Sequence, residues 1–133
     1  MESLADKKRI ITRELKVAIV PALKARGYTG SFPHFRKMNG DQFDFLSFQF
    51  HKFGGSFVVE IGSASREDLP GFVRSRPFEK LNYSYTPDNK RKRITPESSQ
   101  KDYWYGYSDF NHQNQYTELA NFVKVLLIRQ KLL

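Results

Sequence analysis

The stretch FDFLSFQFHKFGGSFVVEIGS, residues 43–63, decides the fold. Two apolar runs flank Gly54-Gly55, and a two-residue hairpin turn needs the positive φ that glycine adopts without steric cost. With these two glycines as the turn, Phe50 faces Val59, Phe48 faces Ile61 and Leu46 faces Ser63. The other face sets His51 against Val58, Gln49 against Glu60 and Ser47 against Gly62. One face is large and apolar, the other polar or small, and a one-residue slip would send every side chain to the wrong side. The reading is a hairpin at the centre of a small antiparallel sheet.

The rest of the chain supplies what covers that sheet. At 133 residues it has the length of one domain with a real core, and the expected organisation is a single α+β domain over 1–133. Twelve phenylalanines and 15% aromatic residues argue against intrinsic disorder. The absence of cysteine excludes disulfides, thiol catalysis and cysteine-ligated zinc. The N-terminus is amphipathic rather than signal-like, and the longest aliphatic run, 125–128, is far short of a membrane span. A soluble cytoplasmic protein with no membrane partner is expected. The net charge of +8 favours a polyanionic partner, either nucleic acid or an acidic protein.

Residues 3–26 read as helix, with Ile11, Leu15, Ala18 and Ala22 in one stripe widened by Ile19 and Leu23. Lys7, Lys8, Arg9, Arg13 and Lys16 fall on the outer surface. Pro21 lacks an N–H for the carbonyl of Val17, so a kink or restart is expected there, and Gly27 is a natural helix stop. Residues 32–38 are the first strand, followed by a turn at Asn39-Gly40. A two-residue turn faces Phe35 with Asp44, whereas a three-residue loop through Asp41 faces Phe35 with Phe45 and requires a β-bulge near Phe45. Residues 65–77 read as a surface connection, 78–85 as a short strand or turn, 87–89 as a turn and 96–101 as polar loop. Tyr103-Trp104-Tyr105-Gly106-Tyr107 reads as a further strand. The last helix spans about 114–132 with Leu119, Phe122, Val123, Leu126 and Ile128 on its apolar face. The fold class is α+β: a three-stranded meander plus one or two further strands, packed against N- and C-terminal helices.

Several of these segments carry a family pattern: Pro21-Ala22-Leu23-Lys24 running into Arg26-Gly27-Tyr28, then Phe35-Arg36, Phe48-Gln49, Phe57-Val58-Val59-Glu60-Ile61-Gly62 and the late pair Trp104-Tyr105. In these features the chain resembles a bacterial domain of unknown function, family 4304. The resemblance implies a shared fold and a bacterial source; the family carries no assigned activity, cofactor or site to transfer, and residues 65–100 do not match it clearly.

Two groups are candidate sites. Gln49, His51 and Glu60, with Ser47, share the face opposite the Phe48 and Phe50 core; they form either the solvated side of a half-buried sheet or a polar binding floor on which Glu60 and His51 act as acid and base. Lys90, Arg91, Lys92 and Arg93 are the densest charge run, a short way before Tyr103, Trp104, Tyr105 and Tyr107; cations neutralise phosphate and aromatic faces stack on bases. His34, His51 and His112 have no metal-ligand spacing, and no Gly-rich phosphate loop is present, so no metal and no cofactor are expected. The leading reading is a non-enzymatic binding or protein-interaction module that neutralises or tethers an acidic partner, as small immunity-type proteins do. The alternatives are a nucleic-acid-binding protein using 90–93, or an enzyme with Glu60 and His51 in a cleft.

Overall fold

A computed structural model describes residues 2–96 and 102–133. Most of the polar loop expected at 96–101 lies outside the described residues. The element order is α1 (Leu4–Ala25), β1 (Thr29–Ser31), β2 (His34–Asn39), β3 (Gln42–Phe50), β4 (Ser56–Ser65), β5 (Arg91–Arg93), β6 (Tyr105–Gly106) and α2 (Gln113–Arg129). The strands pair antiparallel in the order β1-β2-β3-β4-β5, and β6 continues the β5 edge along β4. This is the α+β architecture expected, with the 43–63 hairpin at the centre of a six-stranded sheet.

Local chemistry sets the ends of α1. Ser3 and Asp6 form a capping box, the Ser3 hydroxyl accepting from the Asp6 N–H at 3.1 Å. At the other end Gly27 takes φ 94°, and the N–H of Tyr28 donates to the Leu23 carbonyl at 3.1 Å, a Schellman stop. The kink or restart expected at Pro21 is replaced by one unbroken helix. Pro21 lies on the solvent side and the Val17 residue it leaves unbonded is 69% exposed, so water can take up that carbonyl.

The turns differ from the sequence expectation. Phe50 lies opposite Phe57, Phe48 opposite Val59 and Leu46 opposite Ile61, because the loop holds residues 52–55 rather than two glycines alone. The N–H of His51 donates to Ser56 at 2.9 Å, and that of Gly54 to His51 at 2.9 Å. The slip is by two residues, so the sorting of side chains onto faces survives. Between β2 and β3 the turn is Gly40-Asp41, Asn39 pairs with Gln42, and Phe35 lies opposite Leu46. The pairing of β3 runs without interruption from Gln42 to Phe50, so there is no bulge near Phe45. The first strand expected at 32–38 is instead two: Phe32-Pro33 is a turn, joined by a cis peptide, that folds β1 back on β2.

The adjacent apolar residues Phe45 and Leu46 are both buried because both faces of the sheet are covered. On one face Leu46, Phe48, Phe57 and Val59 pack with Ile11, Leu15, Ile19 and Leu23 of α1 and with Tyr116, Ala120, Val123 and Leu127 of α2. On the other, Phe43, Phe45 and Ala64 lie beneath Leu69, Val73, Leu81 and Tyr83. The 66–90 segment is therefore a lid of short 3-10 turns rather than a surface connection or a strand. Arg36 pins it by donating from Nε to the Leu81 carbonyl at 2.6 Å. The buried stripe of α2 is rotated from the expected one: Phe122 and Ile128 are exposed, and Tyr116, Ala120 and Leu127 take their place. Of the aromatic strand expected at 103–107, only Tyr105–Gly106 pairs, with Tyr105 and Tyr107 buried.

Candidate functional site

The register of four strands aligns a transverse row of polar side chains where the lid ends. His34 is paired with Ser47, Ser47 with Glu60, and Glu60 with Arg93, all on the lid face. His34 Nδ1 lies 3.0 Å from Ser47 Oγ. Glu60 is 8% exposed. Its Oε2 accepts from the Tyr83 hydroxyl at 2.9 Å and lies 3.7 Å from Arg93 Nε. The Arg91 guanidinium covers the Tyr83 ring at 5.0 Å, and that of Arg93 covers Trp104 at 5.4 Å. Trp104 in turn meets His51 edge-on, with ring centroids 5.1 Å apart. A continuous series of contacts thus runs Arg91, Tyr83, Glu60, Arg93, Trp104, His51.

The row floors a cleft of about 600 Å³ that opens beside the end of β3 and is lined by Lys8, His34, Ser47, Gln49, Glu60 and Arg91 among others. It exists because β2 begins only at His34, opposite Ser47. Phe48 still donates to the Pro33 carbonyl at 3.0 Å, and by strand alternation the Phe50 N–H and C=O point to the side that β2 has vacated. Lys8 of α1 closes the rim by resting 4.8 Å over the Phe50 ring.

The structure brings Gln49, Glu60 and Arg91 to this cleft and sets Arg93, Trp104 and His51 along its flank. It separates His51 from Glu60, with Arg93 and Trp104 between them. Glu60 and Ser47 are buried by the lid, so this part of the face is not the solvated side of the sheet. The basic run is divided by strand alternation. Arg91 and Arg93 point to the lid face, while Lys92 donates to Gln130, the residue that caps α2, at 3.1 Å. Lys90 pairs with Asp68 at 3.4 Å. Arg91 donates to the carbonyls of Thr86 and Ser84 at 2.7 and 2.9 Å and lies 3.5 Å from Asp88. Sequence reasoning missed the His34–Ser47 contact because it depends on the Gly40-Asp41 turn, and missed Tyr83 because the lid has no periodicity.

Burial, with Arg36 close by, lowers the His34 pKa, so the imidazole is held neutral beside the Ser47 hydroxyl. Tyr83 is pushed up to about 12, first by burial and then by its hydrogen bond to Glu60. A phenol whose folded pKa lies above its unfolded value stabilises the fold below pH 10, and this contribution is lost as pH rises through about 12. Tyr83→Phe is accordingly expected to flatten the decline in urea midpoint between pH 10 and 12 relative to the native chain. Parallel declines in the two proteins would refute the assignment. Among the described residues no three His, Asp or Glu side chains converge as metal ligands, and no helix is long and apolar enough to cross a membrane.

The family model described as "Domain of unknown function (DUF4304)" matches residues 19–130, from the last third of α1 to the end of α2. No curated protein and no solved structure matches the chain.

Proposed function

The chain belongs to the DUF4304 family, and from that footing we propose that it is a non-enzymatic interaction module which docks an acidic segment of a partner protein in the cleft beside the end of β3. One observation carries this reading. Among the described residues Glu60 is the only carboxylate lining the cleft, and Tyr83 and Arg93 already engage it, while Lys8 and Arg91 stand at the rim. An incoming carboxylate meets a surplus of positive charge together with the side-chain amide donor of Gln49. Exposed lysines of α1 extend the field: Lys16 lies 6.0 Å over the Phe32 ring, next to the Phe48 and Phe50 cluster.

A non-catalytic role is supported by what surrounds Ser47, the cleft hydroxyl that contacts a histidine. Ser47 is 3% exposed, and His34 is its sole side-chain hydrogen-bond partner among the described residues. A serine nucleophile needs a base oriented by a third group and donors for the developing oxyanion. Nucleic-acid binding through residues 90–93 draws less support, because the run is not one patch: Lys90 pairs with Asp68 and Lys92 with Gln130, which leaves Arg91 and Arg93 on the lid face. In the bacterial cytoplasm such a module would tether or neutralise its partner.

Titration of the 15N-labelled protein with an oligoglutamate peptide tests the proposal. Amide shifts are expected at Gln49, Phe50 and Arg91, weakening as salt rises. Lys8→Glu is expected to lower the affinity about fivefold. Equal shifts with oligolysine, or none at low salt, would overturn the proposal. Shifts at 90–93 with a single-stranded oligonucleotide, steeper in salt than those with the peptide, would replace it with the nucleic-acid reading.

A further inference from the structure

The face of α2 that points away from the core carries two part-exposed apolar residues that belong to neither core cluster among the described residues. Phe122 is 41% exposed and Val125 42%. They are three residues apart, so they lie on one side of the helix, opposite the buried Tyr116, Ala120, Val123 and Leu127. The same side carries Glu118 one turn before Phe122 and Arg129 one turn after Val125, both exposed. Neither forms an ion pair or side-chain hydrogen bond among the described residues.

We propose that this face pairs with the α2 of a second copy of the chain, antiparallel and about a two-fold axis level with the Val123–Lys124 peptide. Reversing the helix about that point sets Phe122 of each copy against Val125 of the other. The same operation sets Glu118 against Arg129, twice. In a two-fold contact the pairing of one residue with another is repeated in reverse, and this face is complementary to its own reversal in both shape and charge. A parallel pairing would set Glu118 against Glu118 and Arg129 against Arg129, so the charges also select the direction. The apolar and charged positions alternate in spacings of three and four, the pattern that seats one helix on another. The partner is a second copy rather than an unrelated helix because one element supplies both halves of the match. The surface lies on the far side of α2 from the sheet and does not overlap the acidic-segment cleft.

Sedimentation equilibrium of the full chain, with three charge variants, decides the matter. The native chain is expected to show a monomer–dimer equilibrium. Glu118→Arg and Arg129→Glu each place two like-charge pairs in the contact and are expected to weaken the dimer about fivefold. Combining them, E118R with R129E, reverses both pairs and is expected to restore the native constant within about twofold. All four positions involved are on the surface, and thermal unfolding of the variants checks that the fold is intact. Because the chain has no cysteine, a mixture of E118C and R129C proteins reports direction directly, with the mixed disulfide exceeding either homodimer. A monomer at all concentrations, a dimer indifferent to the single substitutions, or preferential E118C–E118C cross-linking would each overturn the proposal.

Discussion

Phe57→Ala is expected to lower the stability of the fold by about 3–5 kcal/mol, the range for deleting a fully buried phenylalanine from a packed core. Phe57 has no exposed surface. Its ring stacks on Tyr105 at 5.2 Å and meets Phe50 at 5.6 Å, Phe48 at 6.3 Å and Tyr107 at 6.4 Å. It therefore joins three separate pieces of chain: both arms of the central hairpin and the short strand β6. Beyond its lost transfer energy, the aromatic contacts to Tyr105 and Tyr107 hold the chain that leads into α2, so their loss is expected to loosen that end of the molecule first. With total stabilities of ordinary domains near 5–15 kcal/mol, this one substitution removes a large fraction. Urea unfolding followed by far-ultraviolet circular dichroism gives the value, and the fluorescence of Trp104, the single tryptophan, reports the β6 end separately. Phe57→Leu keeps most of the volume and is expected to cost less than half as much. A loss below about 1.5 kcal/mol for the alanine variant would show that the hairpin and β6 are held together by something other than this ring.

The architecture was legible where local rules suffice. The stripe of α1, its stop at Gly27, and the sorting of Phe48 and Val59 to one face and Ser47 and Glu60 to the other all follow from periods of 3.6 and 2 and from glycine's freedom at positive φ. Register was not legible, because a Gly-Gly pair has more than one reason to exist. Gly54 and Gly55 adopt φ 88° and 87°, as a tight turn would require. A Cβ on Gly54 would also sit 3.3 Å from the Leu4 side chain, and one on Gly55 3.2 Å from Ser108. The loop is thus shaped by the N-terminus of α1 and by the 108 region closing over it, contacts far away in sequence. The candidate site depends on this non-local information even more. Glu60 was identifiable as a polar residue on the face away from the helices, but its partner Tyr83 comes from a lid whose apolar residues Leu69, Val73 and Leu81 follow no repeat. The basic run at 90–93 read as one patch, and strand pairing splits it, since neighbouring residues of β5 face opposite ways.

Gly62 shows what the lid adds, and its substitution is the second large effect expected. In an open sheet, replacing a strand glycine by alanine reduces the entropy lost on folding and stabilises by roughly 0.5–1 kcal/mol. Gly62 is not open. It is buried, and a Cβ there would lie 2.8 Å from both Cγ2 and Oγ1 of Thr86 and 3.1 Å from its Cβ. Thr86 is itself only 2% exposed, and its carbonyl holds Arg91 at 2.7 Å, so it has no free direction in which to move. Overpacking of this kind costs about 1–3 kcal/mol, and it outweighs the entropy term. Gly62→Ala is therefore expected to destabilise by about 2 kcal/mol, with the sign opposite to the open-sheet case. Thr86→Ala removes the two clashing atoms and a hydroxyl that has no hydrogen-bond partner among the described residues, so the double variant is expected to recover at least half of the loss. This coupling is the decisive quantity, because backbone strain at Gly62 would be unaffected by trimming Thr86. Four urea midpoints, for the native chain, each single variant and the double variant, measure it. Additive losses would mean that the lid does not press on the sheet at Gly62, and the burial of Glu60 and Tyr83 beside it would then need another cause.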